Sequence, residues 1–144
     1  MAVLTGMPRT ATVTAESPST VLWMSTSRMK SILKDSVDLQ NRLWKFACMR
    51  FAMNLLSRKK PYNDWQQNEF RQWLSAGDII YPDERGNIDL KGKVGILVTG
   101  KASGSDNSIV LTAPAILETS DYNFSSNSRV FIRDQKKKIS KARV

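Results

Sequence analysis

The sequence predicts an α+β chain: strand-like residues first, then helices, then a small antiparallel β unit. Three observations carry this. Residues 9–15, RTATVTA, alternate small and β-branched side chains. Between residues 26 and 75 apolar side chains recur at helical spacing. After Gly77 the period falls to two, in short runs separated by turn-forming clusters.

Each element has a local reason. RTATVTA places Ala11, Val13 and Ala15 on one face of a strand. ESPST then turns the chain, because Pro18 fixes φ and Ser17 and Ser19 can bond nearby backbone. The apolar run VLWM, residues 21–24, suits a buried strand. Ser25 and its neighbours offer N-caps, and Met29, Ile32 and Leu33 fall at helical spacing, so a short helix is predicted over 26–34. Asp35 or Ser36 opens the next helix, whose stripe of Leu39, Leu43, Phe46, Ala47, Met53 and Leu55 runs to about residue 57. Arg58-Lys59-Lys60 suits the negative end of that helix and Pro61 stops it. A third helix, capped by Asn63 and apolar at Trp65, Phe70, Trp73 and Leu74, ends with Gly77 just past its C-terminus. DIIY, NIDL, VGILVT, SIVLTA and RVFI read as strands, with PDERGN and GKASGSDN as turns.

Composition narrows the function. The 144 residues carry a net charge of +9, with 41% hydrophobic and 24% charged residues. That is globular composition with a preference for anionic partners: nucleic acid, acidic lipid, phosphate or an acidic protein face. The basic clusters at 58–60 and at Lys136-Lys137-Lys138 read as a solvated helix end and a tail, and Arg42, Lys45 and Arg50 as a solvated helix face. The four tryptophans read as core or interface, and Asp83, Glu84 and Asp89 as loop-solubilising residues. Cys48 is the sole cysteine, so no internal disulfide forms, and its neighbours Phe46, Ala47 and Phe51 make it a buried small hydrophobe. Histidine is absent. With no metal-ligand cluster and no Gly-rich loop for nucleotide hydrolysis, the sequence is not expected to be an enzyme or to hold a metal or cofactor. No run approaches the roughly 18 apolar residues of a membrane span, and the N-terminus lacks a basic-then-apolar signal pattern.

One motif carries chemistry. In Gly6-Met7-Pro8-Arg9-Thr10, Gly6 permits φ > 0, so that backbone amides can turn toward one point, and Pro8 stiffens the turn. Arg9 supplies a planar cationic fork at the mouth of a strand, and Thr10 a hydroxyl beside it. Together they describe a cradle for one phosphate.

The stretch AVLTGMPRTATVTAESPSTVLWMSTSRMKSIL resembles, without a gap, the phosphate-binding cassette and following strands of cyclic nucleotide-binding domains. Such domains occur in protein kinase A regulatory subunits, in cyclic nucleotide-gated and hyperpolarisation-activated channels, and in the bacterial catabolite activator. The shared features are the apolar pair Val3-Leu4, a short turn, Arg before a small residue, the strand ATVTA, a turn, a second short strand, and a helix ending in Ile-Leu. The resemblance covers residues 2–57 and implies that Arg9 pairs with the cyclic phosphate, with Thr10 and Ala2 beside it. It also implies that the helix over 37–57 lids the pocket. The family's Gly-Glu pair, whose glutamate holds the ribose hydroxyl, would fall before Met1, so the resemblance is to the second half of the domain only.

The organisation implied is a partial cyclic nucleotide-binding domain with partial β-roll strands over 1–60, a connecting helix over 61–77, a small β domain over 78–134, and a basic tail over 135–144. A lid helix followed by a small β domain looks like the cytoplasmic C-terminal region of sperm-type sodium/proton exchangers. LKGKVGILVTG also resembles the Gly-x-Val strand of a β-roll, so 78–133 can equally be a second, degenerate nucleotide domain. The expected function is cyclic nucleotide sensing by a membrane transporter, at the cytoplasmic side of a membrane such as that of the sperm flagellum. Cyclic AMP or cyclic GMP is the regulatory ligand, and the rest of the parent protein, or a second copy in a homodimer, is the partner. The alternatives are the regulatory region of a channel or kinase subunit, and a basic nucleic-acid-binding or structural interaction protein. Nucleic acid is the less favoured partner, because the basic residues are dispersed and no groove-reading motif is present.

Overall fold

In a computed structural model describing residues 2–8, 12–105 and 109–135, the two sequence periods resolve into helices and two antiparallel sheets. The α+β class and the small antiparallel β unit are as the sequence predicts. The chain divides into two compact units, Met1–Ala47 and Cys48–Val144.

The first unit contains α1 (Ala2–Thr5), α2 (Thr26–Asp35) and the start of α3 (Val37–Leu56). Serines set both helix starts. The Ser25 hydroxyl accepts from the Arg28 amide at 3.3 Å. Ser36 closes α2 through its amide to the Ile32 carbonyl and caps α3 by accepting from the Leu39 amide at 3.4 Å. Leu33, Trp44 and Ala47 are buried, and Asp38 pairs with Arg42 one turn on, at 2.9 Å on the exposed face.

Among the described residues the partial β-roll strands expected at 9–15 and 21–24 are not found. Residues 12–24 contain no strand, and Arg9, Thr10 and Ala11 lie outside the described residues. Val13, Leu22 and Trp23 are 94%, 96% and 87% exposed, so Trp23 is not a core residue. An alternating pattern specifies which side chains share a face, but a strand persists only when a neighbour satisfies its backbone and covers that face.

The second unit contains the end of α3, a 3₁₀ turn (Tyr62–Asp64), α4 (Gln67–Ser75) and seven strands. Asn63 lies within the 3₁₀ turn instead of capping α4, whose N-cap is Gln66. The strands are β1 (Asp78–Ile80), β2 (Lys93–Thr99), β3 (Lys101–Gly104), β4 (Val110–Thr112), β5 (Ala115–Leu117), β6 (Tyr122–Phe124) and β7 (Arg129–Asp134). Part of the predicted GKASGSDN turn is thus β3. The NIDL segment is not a strand, yet its Ile88 and Leu90 are buried.

The sheets run β1-β7-β2-β5 and β4-β3-β6, every pair antiparallel. Leu97, Leu117 and Val130 from the first sheet share one core with Ala102, Tyr122 and Phe124 from the second, joined by Ile88 and Leu90. The Phe124 amide donates to the Gly86 carbonyl at 2.8 Å, so the segment before Ile88 occupies a fourth place beside β6. With that place filled, the connectivity is that of a jelly roll, whose strands pass back and forth between two sheets.

The other face of the first sheet carries Ile96, Val98 and Phe131, all buried, on the residues alternating with Leu97 and Val130. Helix α4 covers it: Arg133 Nε donates to the Trp73 carbonyl at 3.0 Å. Trp73 in turn packs in an aromatic cluster with Tyr62, Trp65 and Phe70. Gly77 is required here for close approach, not for a left-handed turn, since a Cβ on it would lie 2.2 Å from the Phe131 ring.

Cys48 is fully buried, as its neighbours predict. Burial pushes its thiol from 9.0 up to about 12, the nearby Arg129 opposing this only in part. Native protein is therefore expected to resist alkylation by iodoacetamide at pH 8, and the unfolded chain to react readily; equal rates would contradict this burial. Because the folded pKa is the higher one, the thiol's contribution to stability is complete below pH 9.0 and is lost as the pH rises toward about 12.

Candidate ligand groove

The phosphate cradle read from the sequence is only partly within view. Gly6 adopts φ +69°, the left-handed conformation the motif requires, and its amide donates to the Ala2 carbonyl at 2.8 Å. Ala2 therefore opens α1, and Gly6 closes it. Arg9 and Thr10, the two residues assigned to the phosphate, lie outside the described residues. The helix assigned to the lid forms as α3, over Val37–Leu56.

A second site lies entirely in the second unit. The end of α3, the turn between Leu90 and Val94, and the chain leaving β5 enclose a groove of about 560 Å³. Its floor is apolar: Pro61, Tyr62 and Ile116, over the buried Leu56 and Val94. Its rim is cationic, with Lys59 and Lys60 following α3 and Lys91 and Lys93 flanking Gly92. Local structure explains these positions. The Lys59 amide donates to the Leu56 carbonyl, ending α3 in a tight turn that carries both lysines outward. Gly92 sits at φ +70°, and the Lys93 amide donates to the Leu90 carbonyl at 3.0 Å, so Lys91 and Lys93 flank a left-handed corner. The Asp89 carboxylate accepts from the Lys91 amide at 3.0 Å and steadies the same corner.

One carboxylate of the lining forms an ion pair with these cations. Glu118 accepts from Lys59 Nζ, and that hydrogen bond and charge hold its carboxyl below the usual range. Burial pushes the Tyr62 phenol up, keeping it a neutral hydroxyl at physiological pH. The groove can thus accept an anion whose apolar part meets its floor. In the sequence Lys59 and Lys60 read as a solvated helix end, and nothing local marks Glu118 as their partner. The one available signal was the Lys-Gly-Lys spacing around Gly92.

The Asp83 carboxylate accepts from the Arg85 and Asn87 amides at 2.9 and 2.8 Å, organising the PDERGN loop. Among the described residues no group of His, Cys, Asp and Glu is placed to hold a metal ion, and no helix is long and apolar enough to cross a membrane. No protein-family model matches the chain.

Proposed function

We propose that the chain is a regulatory region of a cyclic nucleotide-sensing membrane transporter of the sodium/proton exchanger type, with Arg9 reading the ligand's phosphate. The observation that carries this reading is the ordered match of residues 2–57 to the second half of a cyclic nucleotide-binding domain. It is supported by the helices at Thr26–Asp35 and Val37–Leu56, which fall where that match expects the post-strand helix and the lid. The exposed, strand-forming Val13, Val21 and Leu22 fit a segment that awaits a β partner. Cyclic nucleotide would act by binding one lid position more tightly than the other, which is the only way a ligand shifts such an equilibrium.

The jelly-roll connectivity of the second unit favours the degenerate nucleotide-domain reading of residues 78–133 over an unrelated β domain. In the order that the resemblance implies at the N-terminus, the cassette precedes the penultimate strand. Its counterpart is the segment between β5 and β6, Glu118 to Asp121. That segment has no glycine and no arginine, and a carboxylate at each end. It offers a phosphate neither a glycine turn nor a guanidinium fork, so sensing rests on Arg9.

Calorimetric titration of cyclic AMP and cyclic GMP tests this, using the chain alone and the chain extended N-terminally by the first half of a β-roll. The extended form is expected to bind, and Arg9→Ala to weaken binding about ten- to a hundredfold, since hydrogen bonds to charged groups are worth about 1.5–3 kcal/mol. A folded extended form that binds neither nucleotide would leave a structural interaction domain as the function.

A further inference from the structure

We infer that the lysine-rimmed groove of the second unit docks an acidic, amphipathic peptide segment of a partner protein. The site is separate from Arg9, so the inference does not depend on the cyclic nucleotide reading. Charge complementarity selects the occupant's sign. Four lysines and one carboxylate, Glu118, line the groove, and Glu118 is engaged by Lys59; the Asp89 carboxylate at the Gly92 corner bonds the Lys91 amide, and among the described residues no acidic side chain forms an ion pair with Lys60, Lys91 or Lys93. The floor selects its class. Pro61, Tyr62 and Ile116 offer accessible apolar surface that a bare phosphate or a nucleic-acid backbone does not use, whereas a peptide alternating acidic and apolar residues uses both floor and rim.

Two further features argue against a dedicated phosphate site. The rim has no guanidinium fork. The helix end that reaches the groove is the C-terminus of α3, whose partial negative charge favours lysines and not a bound phosphate. The volume of about 560 Å³ is that of an ordinary ligand cleft and accommodates a few side chains of an extended segment.

The test is fluorescence anisotropy on the full chain with a labelled hexapeptide of alternating glutamate and leucine. Its leucines project from one side of the extended backbone toward the floor, and its glutamates toward the rim. Binding is expected, with labelled hexaglutamate and a labelled single-stranded hexanucleotide each at least about tenfold weaker, because neither buries a leucine. The double variant Lys91→Glu, Lys93→Glu is expected to weaken binding by about tenfold, and Glu118→Gln to tighten it roughly two- to threefold by releasing Lys59. Lys91 and Glu118 are exposed and Lys93 is half-buried at the start of β2, and circular dichroism checks that the variants fold. Failure of the alternating peptide to bind overturns the proposal. So does equal binding of hexaglutamate, preference for the hexanucleotide, or indifference to the double variant in folded protein.

Discussion

Phe131→Ala is expected to destabilise the second unit by about 3–5 kcal/mol, the usual cost of deleting a buried phenyl ring. Phe131 is 1% exposed and lies in β7, which pairs with two neighbours: Phe131 stands opposite Ile79 on one side and Ile96 on the other. Its ring also fills the space that Gly77 leaves at the end of α4. One side chain therefore joins three strands to the helical layer, and its loss opens a cavity that none of them can close alone. Urea denaturation followed by tryptophan fluorescence measures the effect, with Phe131→Leu as the comparison that keeps most of the volume and costs less. A loss below about 1 kcal/mol for the alanine variant would mean that helices and sheet do not share this core.

Gly100→Ala is expected to cost about 2–5 kcal/mol, summing left-handed strain and overpacking. Gly100 is the corner at which the chain leaves β2 in one sheet and enters β3 in the other. Its φ is +85°, and a Cβ would lie 2.3 Å from the Ser128 hydroxyl and 2.8 Å from the Ser128 Cα. Ser128 cannot yield easily: it is fully buried, and its hydroxyl donates to the Lys101 carbonyl at 3.1 Å. Gly92 separates the two contributions. It has φ +70° but nothing within 4 Å of an added Cβ, so Gly92→Ala should show the strain alone, about 1–2 kcal/mol. Equal losses at the two glycines in the same denaturation experiment would show that the Ser128 contact is slack.

Which elements could be read from the chain follows from where their information resides. Helix α2 and the start of α3 rest on Ser25 and Ser36, whose hydroxyls bond amides three residues on. Such signals are local, so sequence reasoning locates them. The strands β3, β5 and β6 are three or four residues long, and β3 is built from Lys-Ala-Ser-Gly, a turn-like composition. They are strands because partners lie alongside: Ala102 is paired with Leu111 on one side and Phe124 on the other. The converse failure is at 12–24, where β-branched alternation finds no partner among the described residues. The groove was illegible for a related reason. Its lysines and Glu118 come from three separate stretches of chain, and only the jelly roll and the end of α3 bring them to one rim.

The α+β class, the starts of α2 and α3, the C-terminal ends of α3 and α4, the burial of Cys48 and the left-handed turn at Gly6 were all legible in the chain alone. All of these depend on side-chain chemistry within a few residues. Tertiary structure alone decided which short segments became strands, the order in which they paired, why Gly77 and Gly100 must lack a side chain, and where basic residues meet an apolar floor. Those depend on neighbours far along the chain, because a strand's hydrogen bonds and a groove's walls are both supplied by something else.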